Sequence, residues 1–474
     1  MTNEKKRRYP WQRKRLRMLL ILSLPTVLIA VYFVYRGQLT AQVREQLDAL
    51  RAASLPTNVE ELQAWRPMPP DAENAAFLIV QALQQIQPLS PDEASGLPYY
   101  SGVGVSRRRP GPFPPDPAGG PSELSATVYA PVDPYPPEIR ARLLAVLKKN
   151  LGSLQLLHQA AVLPESKFRL DLSDLFQPSL TQLERWDAGE RLLSAQASLT
   201  AETGNRAQTS KSLLSLLAYA ESLRNEPASF AQVQRLETLN QFCTVLERVL
   251  NRTDLRANDL QRLLEAVSKV SLAEGIRLGL AGDRALSLSF QERMGSPFMH
   301  ITGFLDRMTL GILEGAAIII EMAEKDPAAA QRQWDDWIDS DWDQFRFLVR
   351  QEAFQVFARW PAAAARLAAA RAALGVELYR AQHGGALPEY LEMLQPDLFS
   401  ELPGDPWAAG PLKYRLLNPG YVVYSVGEDG IDQEGAVTAP ESSPEPGRRK
   451  RRASTPDIGM NILREGLVQE EPGP

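Results

Sequence analysis

An uncharged apolar run, MLLILSLPTVLIAVYFVY, occupies residues 18–35 near the start of the chain. A helix rises about 1.5 Å per residue, so this run extends about 27 Å, close to the roughly 30 Å thickness of the hydrocarbon core of a bilayer. The run therefore predicts a single N-terminal transmembrane helix, with the lipid bilayer as a partner. Aromatic residues flank it and are placed to lie at the two membrane interfaces: Tyr9, Trp11, Tyr32, Phe33 and Tyr35.

The segment before this run, residues 1–17, carries eight Lys and Arg side chains against one acid, Glu4. The positive-inside rule keeps such a segment in the cytoplasm, so residues 36–474 are predicted to lie on the other side of the membrane. A cleaved signal peptide is the alternative interpretation of the same residues. The stretch that follows, residues 36–41, lacks a clear small-x-small cleavage site, which favours a retained anchor.

After the span, apolar positions recur with a helical period. Residues 36–87 predict a helical stalk, marked by a stripe at Leu39, Val43, Leu47 and Leu50, followed by short helices. The composition then changes, because thirteen of the fifty residues in 88–137 are proline. Such a segment predicts an extended Pro/Gly-rich linker.

Residues 138–360 predict an all-helical domain, either solenoid-like or a bundle. Leu-rich periods define helices on both sides of Gly204-Asn205, and Asn225-Glu226-Pro227 marks the next break. A hairpin of this kind partially resembles a tetratricopeptide unit, although the Trp and Tyr positions are not filled. The apolar run 308–323 is interrupted by acids and predicts a buried helix instead of a second span. The acids and tryptophans of 334–343 predict an amphipathic helix, since a calcium loop beginning at Asp339 would need Gly at 344 and Glu at 350.

The last part of the chain changes pattern again. An Ala-rich helix over 361–383 ends at Gly384-Gly385, and two short strands, 412–416 and 421–426, flank the turn Asn418-Pro419-Gly420. Alternating apolar residues at Ile458, Met460 and Ile462 predict a last strand. These elements predict a small α+β domain over 361–466, with a disordered insertion at 440–455 and a tail at 467–474.

Charge and composition narrow the chemistry. The net charge is −5, and because residues 1–17 contribute +7, the remaining residues carry −12, which argues against nucleic acid as a partner. The single cysteine, Cys243, falls in an apolar pattern and predicts a buried small side chain. The three histidines are far apart and show no ligand spacing. No phosphate loop or nucleophile elbow is present, so the chain is not expected to be an enzyme.

The C-terminal motifs carry a specific resemblance. The strings YRAQHGG at 379–385, LPGDPW at 402–407 and YSVGEDG at 424–430 occur in the order and separation found in the major pseudopilin of bacterial type II secretion systems. The region therefore resembles the globular C-terminal domain of that family. The chain as a whole also resembles uncharacterised bacterial membrane-anchored proteins that append such a unit to a helical domain, which implies the bacterial cytoplasmic (inner) membrane as its location.

The resemblance implies a calcium ion, because pseudopilins of this kind hold Ca²⁺ in the loop after the last motif. It carries the metal role onto Asp429, and Asp432 and Glu434 are nearby oxygen donors of the kind that calcium prefers. The family also has an Asp-Ile pair downstream, which matches Asp457-Ile458. The predicted metal residues are Asp429, Asp432 and Asp457.

This chain departs from a pseudopilin at its N-terminus. It places about 325 residues between the span and the motifs, and it lacks both the Gly-Phe cleavage site and the Glu at the fifth mature position. We therefore expect an extracytoplasmic interaction or structural protein with a protein partner in the cell envelope, linked to type II secretion or envelope assembly. Participation in a pilus-like fibre is one alternative. An envelope hydrolase using paired acids such as Asp283 or Glu292 is another.

Overall fold

The computed structural model describes the backbone of residues 10–100, 129–169, 185–340, 353–436 and 457–464; side chains are described within these ranges except at 10–23 and 339–340. The protein is mainly helical, as predicted. In chain order its helices are α1 Pro10–Ala52, α2 Val59–Trp65, α3 Ala75–Gln85, α4 Pro91–Ala94, α5 Pro137–Lys149, α6 Leu151–Ala160, α7 Trp186–Glu202, α8 Arg206–Glu221, α9 Ser229–Arg252, α10 Ala257–Ser268, α11 Leu272–Met294, α12 Pro297–Thr302, α13 Phe304–Met322, α14 Pro327–Ser340 and α15 Trp360–Gln382.

Helix α1 is one unbroken helix, so the prediction that the N-terminal helix continues past the apolar run is confirmed. Leu39 is buried, and Leu47 and Leu50 pack against the core. Across the part of the chain that the structure describes, no helix is both long enough and apolar enough to cross a membrane. The first six residues of the predicted span, 18–23, belong to the stretch of α1 whose side chains are not described.

Helix α9 is the centre of the helical part. It is largely buried and contacts α7, α8, α11, α15 and the last strand of the sheet. In an open solenoid each helical pair contacts only its sequence neighbours. The helix surrounded on several sides therefore identifies a bundle, one of the two architectures that the sequence left open.

The hairpin of α7 and α8 turns where the sequence predicts. Gly204 adopts a φ of +72°, a left-handed conformation that glycine adopts without a steric penalty. The Asn205 side chain then caps α8 by accepting a hydrogen bond from the Gln208 backbone N–H at 3.2 Å. Local sequence thus sets both the break and the start of the next helix.

Two further helices follow their predicted patterns. Helix α13 buries Leu310, Ile312 and Ile319 between α11 and α1, which confirms a packed helix over the apolar run at 308–323. Helix α14 buries Trp334 and leaves Asp336 exposed, as expected for an amphipathic helix. Residues 341–352, which contain the rest of this acidic stretch, lie outside the described residues.

The Pro-rich segment 88–137 departs from the prediction at both of its ends. Residues 91–94 form the short helix α4, because proline is compatible with the first helical turn and Ser90 and Glu93 make a complete capping box. Tyr99, Tyr100 and Tyr135 are buried in the core. These ends are therefore packed parts of the fold and not linker, whereas residues 101–128 lie outside the described residues.

The C-terminal strands form an antiparallel sheet in the order β1 Lys413–Leu416, β2 Tyr421–Ser425 and β3 Ile458–Ile462. One face of the sheet packs on α15, and β3 also touches α9. A single hydrophobic cluster extends from Ala75 to Ile462. The predicted boundary between residues 360 and 361 is consequently not a break in packing.

Candidate metal centre

The candidate site lies where β2 ends and β3 begins. Ser425, the last residue of β2, pairs with Ile458, the first residue of β3. Asp457 therefore lies beside the point where the acidic loop 426–436 leaves the sheet. The antiparallel register thus brings together the two motifs that the resemblance to pseudopilins identified, which are separated in sequence by the insertion.

Asp457 is a buried acid with only half of its carboxylate satisfied. Its side chain and backbone together are 1% exposed. Oδ2 accepts hydrogen bonds from the backbone N–H groups of Gln433 at 3.1 Å and Gly435 at 2.8 Å. Oδ1 is buried and has no hydrogen-bond partner within the described ranges. Leaving a charged oxygen unsatisfied costs more than the 1–3 kcal/mol typical of a neutral buried group, so this atom is available for a ligand.

Asp429 and Asp432 shape the loop around Asp457. Asp432 Oδ1 accepts hydrogen bonds from the Tyr424 hydroxyl at 2.9 Å and from the Glu434 N–H at 2.9 Å. Asp429 Oδ1 accepts from the Ile431 N–H at 3.0 Å. Both carboxylates therefore hold turns of the loop through bonds to residues two positions later, as Asp side chains commonly do.

The electrostatics of the site favour a cation. Burial raises the pKa of Asp457, and the negative charges of Asp432 and Asp429 raise it further. The pKa of Asp432 is lowered, chiefly by the hydrogen bond from the Glu434 N–H and then by that from Tyr424. A cation bound between these carboxylates would relieve the repulsion between their negative charges.

The oxygen donors that the structure describes at this site are of the kind that a hard cation prefers, but they do not converge into a complete coordination shell. Calcium takes six to eight oxygen ligands, and carboxylates and backbone carbonyls are its usual donors. Among the described side chains, no three acidic, histidine or cysteine groups converge closely enough to hold a metal ion as they stand. The predicted donor Glu434 pairs instead with Arg415, at 3.2 Å between Oε2 and Nη1. If Ca²⁺ binds here, Asp457, Asp432 and Asp429 are the residues to hold it.

Sequence reasoning did not assign a role to Asp405, although it lies in the LPGDPW motif. Asp405 is buried, and its carboxylate accepts hydrogen bonds from the Ser425 hydroxyl at 2.6 Å and the Val426 N–H at 3.1 Å. It also accepts from the Trp407 N–H at 2.9 Å. Asp405 therefore fixes the first residues of the candidate metal loop. The Asp405-Pro406 pair was the signal in the sequence that could have identified this turn-forming role.

Side chains of α9 join the sheet to the bundle. Glu247 Oε1 accepts from the Asn461 N–H at 2.9 Å, and Asn251 bonds both the Asn461 carbonyl at 2.9 Å and the Leu463 N–H at 2.8 Å. These contacts occupy the outer edge of β3, which would otherwise expose unpaired backbone groups. Strand β3, which follows Asp457, is thus anchored on the largely buried helix α9.

The acids of the hydrolase alternative do not face each other across a cleft. Asp283 is buried on α11 and accepts hydrogen bonds from the Ser229 N–H at 3.1 and 3.3 Å, which caps α9. Glu292 is exposed near the end of the same helix. Burial raises the pKa of the Cys243 thiol to about 12, so this cysteine is a packing residue, as predicted.

Comparisons of the chain with protein-family models, with curated proteins and with solved structures give no match. The resemblance to pseudopilins rests on the motifs at 379–458 alone.

Proposed function

We propose that this chain is a single-pass protein of the bacterial cytoplasmic membrane. Its helical bundle and its pseudopilin-like, calcium-stabilised C-terminal module lie outside the cytoplasm and dock a protein partner in the envelope. The proposal links it to type II secretion or envelope assembly in a structural role.

The observation that carries the proposal is the exposed apolar surface of α1. Between residues 24 and 34 its large aliphatic side chains and Phe33 are each more than half exposed, among them Leu24, Leu28 and Val34. Soluble monomers rarely expose a contiguous apolar surface of this kind, and such surfaces mark membrane or partner contacts. From Leu39 onward the same helix packs on the bundle, so the change occurs at the predicted end of the span.

The proposed structural role is supported by acids and buried polar groups that make hydrogen bonds within the fold. Asp283 caps a helix, Asp405 fixes a loop, and His158 bonds Ser215 at 2.7 Å and Gln196 at 2.8 Å in the bundle interior. Each of these groups satisfies a neighbouring polar atom in the fold. None of them needs a substrate to explain it.

Protease protection in spheroplasts tests the topology. Tags are fused to both ends of the full chain and expressed in bacteria. We expect external protease to remove the C-terminal tag from intact spheroplasts, whereas the N-terminal tag is lost only after lysis. The opposite pattern, or release of both tags into the periplasmic fraction, contradicts the proposed anchor.

Calcium titration tests the metal centre. The detergent-solubilised full chain is stripped with chelator and melted at increasing Ca²⁺. Binding to the folded state alone stabilises it by about 2.7 kcal/mol at a Ca²⁺ concentration of 100 times Kd. We expect Asp457→Asn to lose this response. Without Ca²⁺ it should be at least as stable as wild type, because it removes a buried charge close to two other acids.

The two effects of Asp457→Asn have opposite signs, which separates a lost ligand from a damaged fold. Asp397→Asn is the matched control, since Asp397 is exposed and lies outside the loop. It should keep the full calcium response. A wild-type melting temperature that does not respond to Ca²⁺, or an Asp457→Asn variant that responds like wild type, removes calcium from this site.

A further inference from the structure

A second apolar surface lies beside α1, on the turn between α11 and α13. This turn, residues 294–304, includes α12 and is here called the 294–304 turn. Phe298 is 73% exposed and Ile301 is 70% exposed, and Met294 and Phe304 are also exposed. Removing large apolar side chains such as Phe298 and Ile301 from water is favourable, so a contact that covers them would stabilise the protein.

Polar contacts to α1 fix the position of this turn. The Tyr32 hydroxyl donates a hydrogen bond to the Ile301 carbonyl. The Arg36 guanidinium donates to the His300 carbonyl at 2.7 Å and forms an ion pair with Asp306. A Cβ atom on Gly303 would lie 2.7 Å from Arg36 Cδ, so the two segments are in close contact.

The partners of the turn on α1 lie at one level of the predicted span. Tyr32 belongs to the last turn of the apolar run, and Arg36 is the first charged residue after it. Aromatic and basic residues at such positions lie in the interface between hydrocarbon and headgroups. The exposed side chains of the 294–304 turn therefore continue the exposed apolar surface of α1 at this level.

We infer that the 294–304 turn inserts its apolar side chains into the outer boundary of the bilayer and is a second membrane contact of the protein. The inference rests on the proposed span of α1. Short amphipathic segments bind in this way, with apolar residues about 5–10 Å into the boundary between headgroups and acyl chains. Two attachments restrict rotation of the bundle about α1.

Site-specific fluorescence tests the inference. Phe298→Cys and Ile301→Cys are labelled with an environment-sensitive NBD dye in the full chain. The proteins are reconstituted into vesicles of phosphatidylethanolamine and phosphatidylglycerol that contain doxyl-labelled lipids. Cys243 is buried, so the wild-type chain is the control for unwanted labelling. Both substituted residues are exposed, so the fold should tolerate the changes.

Two reference positions make the result decisive. Ile29→Cys lies within the predicted span, and Val162→Cys replaces a residue that is 81% exposed just after the end of α6. We expect doxyl lipids to quench the label at 298 and 301 to most of the extent seen at 29 and several-fold more than at 162. Quenching at 29 with water-like signals at 298 and 301 overturns this inference and leaves the anchor standing.

If the label at 29 is not quenched, the proposed anchor fails and the inference fails with it. If the labels at 298 and 301 shift to the blue without quenching by doxyl lipids, and the shift grows with the protein-to-lipid ratio, a second protein chain covers the turn. That result overturns the lipid contact.

Discussion

A buried ion cluster between α7 and α9 supports a quantitative prediction. Glu202 is 1% exposed in its side chain and pairs with Arg248 at 2.8 Å and Arg252 at 3.2 Å, whose side chains are 4% and 6% exposed. Replacing Glu202 with Gln keeps the shape but removes the carboxylate charge with which both buried guanidinium groups pair. Removing one partner of a buried ion pair costs about 3–5 kcal/mol.

The structure places the expected cost near the lower end of that range. Arg248 keeps the Ala130 and Asp133 carbonyls as acceptors, at 2.9 and 2.7 Å, and lies 3.6 Å from the Tyr135 ring centroid. Arg252 keeps the Val132 carbonyl at 3.2 Å. We therefore expect Glu202→Gln to cost about 3 kcal/mol. This is about 3 °C in melting temperature, because an unfolding entropy of about 2.1 cal/mol/K per residue gives roughly 1 °C per kcal/mol for a chain of 474 residues.

Thermal unfolding of the detergent-solubilised full chain measures this shift, with Glu324→Gln as the control because Glu324 is exposed. Combining Glu202→Gln with Arg252→Met should destabilise the protein by less than the sum of the single variants, since the charge that Glu202 leaves behind is partly removed. A Glu202→Gln shift no larger than that of the control, or strict additivity in the double variant, refutes the reasoning.

Two further predictions concern a buried acid and a close helix contact. Burial raises the pKa of Glu226 from 4.5 to about 7, against the hydrogen bond from the Phe168 N–H at 2.8 Å. The folded state thus keeps a proton that the unfolded chain releases, so stability is full below about pH 4 and falls by about 3 kcal/mol as pH rises through 7. Glu226→Gln should remove this slope in melts between pH 4 and 8, and an unchanged slope would contradict the assignment. A Cβ atom on Gly282 would lie 1.8 Å from the Pro227 carbonyl oxygen, so Gly282→Ala should lower stability by at least about 2 kcal/mol. Gly152→Ala in α6 meets its nearest neighbour at 3.7 Å and should raise stability by about 0.5–1 kcal/mol; equal effects of the two alanines in thermal melts would show that the contact is not tight.

A tertiary contact caps the N-terminus of α9, which has no capping residue of its own. Helix α9 begins after Ala228, whose side chain cannot cap. The cap comes from Asp283 on α11, and Gly282 permits the two helices to approach there. A capping residue from a distant helix leaves no local pattern, so single-sequence reasoning weighed Asp283 as a catalytic acid.

The residues of the candidate metal centre were predictable from the sequence, but the hydrogen bonds and ion pairs of its carboxylates were not. The motifs located Asp429, Asp432 and Asp457, and the strand register places the loop beside Asp457. The sequence could not indicate that Asp457 Oδ1 is buried without a partner or that Glu434 pairs with Arg415, because both facts depend on how the loop folds against the sheet. The ligand role of the three acids stays a prediction.

Local sequence patterns predicted the helical character, the breaks at Gly204-Asn205 and Asn225-Glu226-Pro227, the hairpin around Pro419 and the continuation of α1 past residue 38. Hydrophobic period, capping residues and turn residues act over a few neighbouring positions, so a single sequence is enough to predict helices, strands and the breaks between them. The packed structure was needed to show that α9 is the centre of a bundle, that the ends of the Pro-rich segment are buried, and that the 294–304 turn lies against Arg36. These features join residues far apart in the chain, and their energies come from burial and pairing that exist only after the chain has packed.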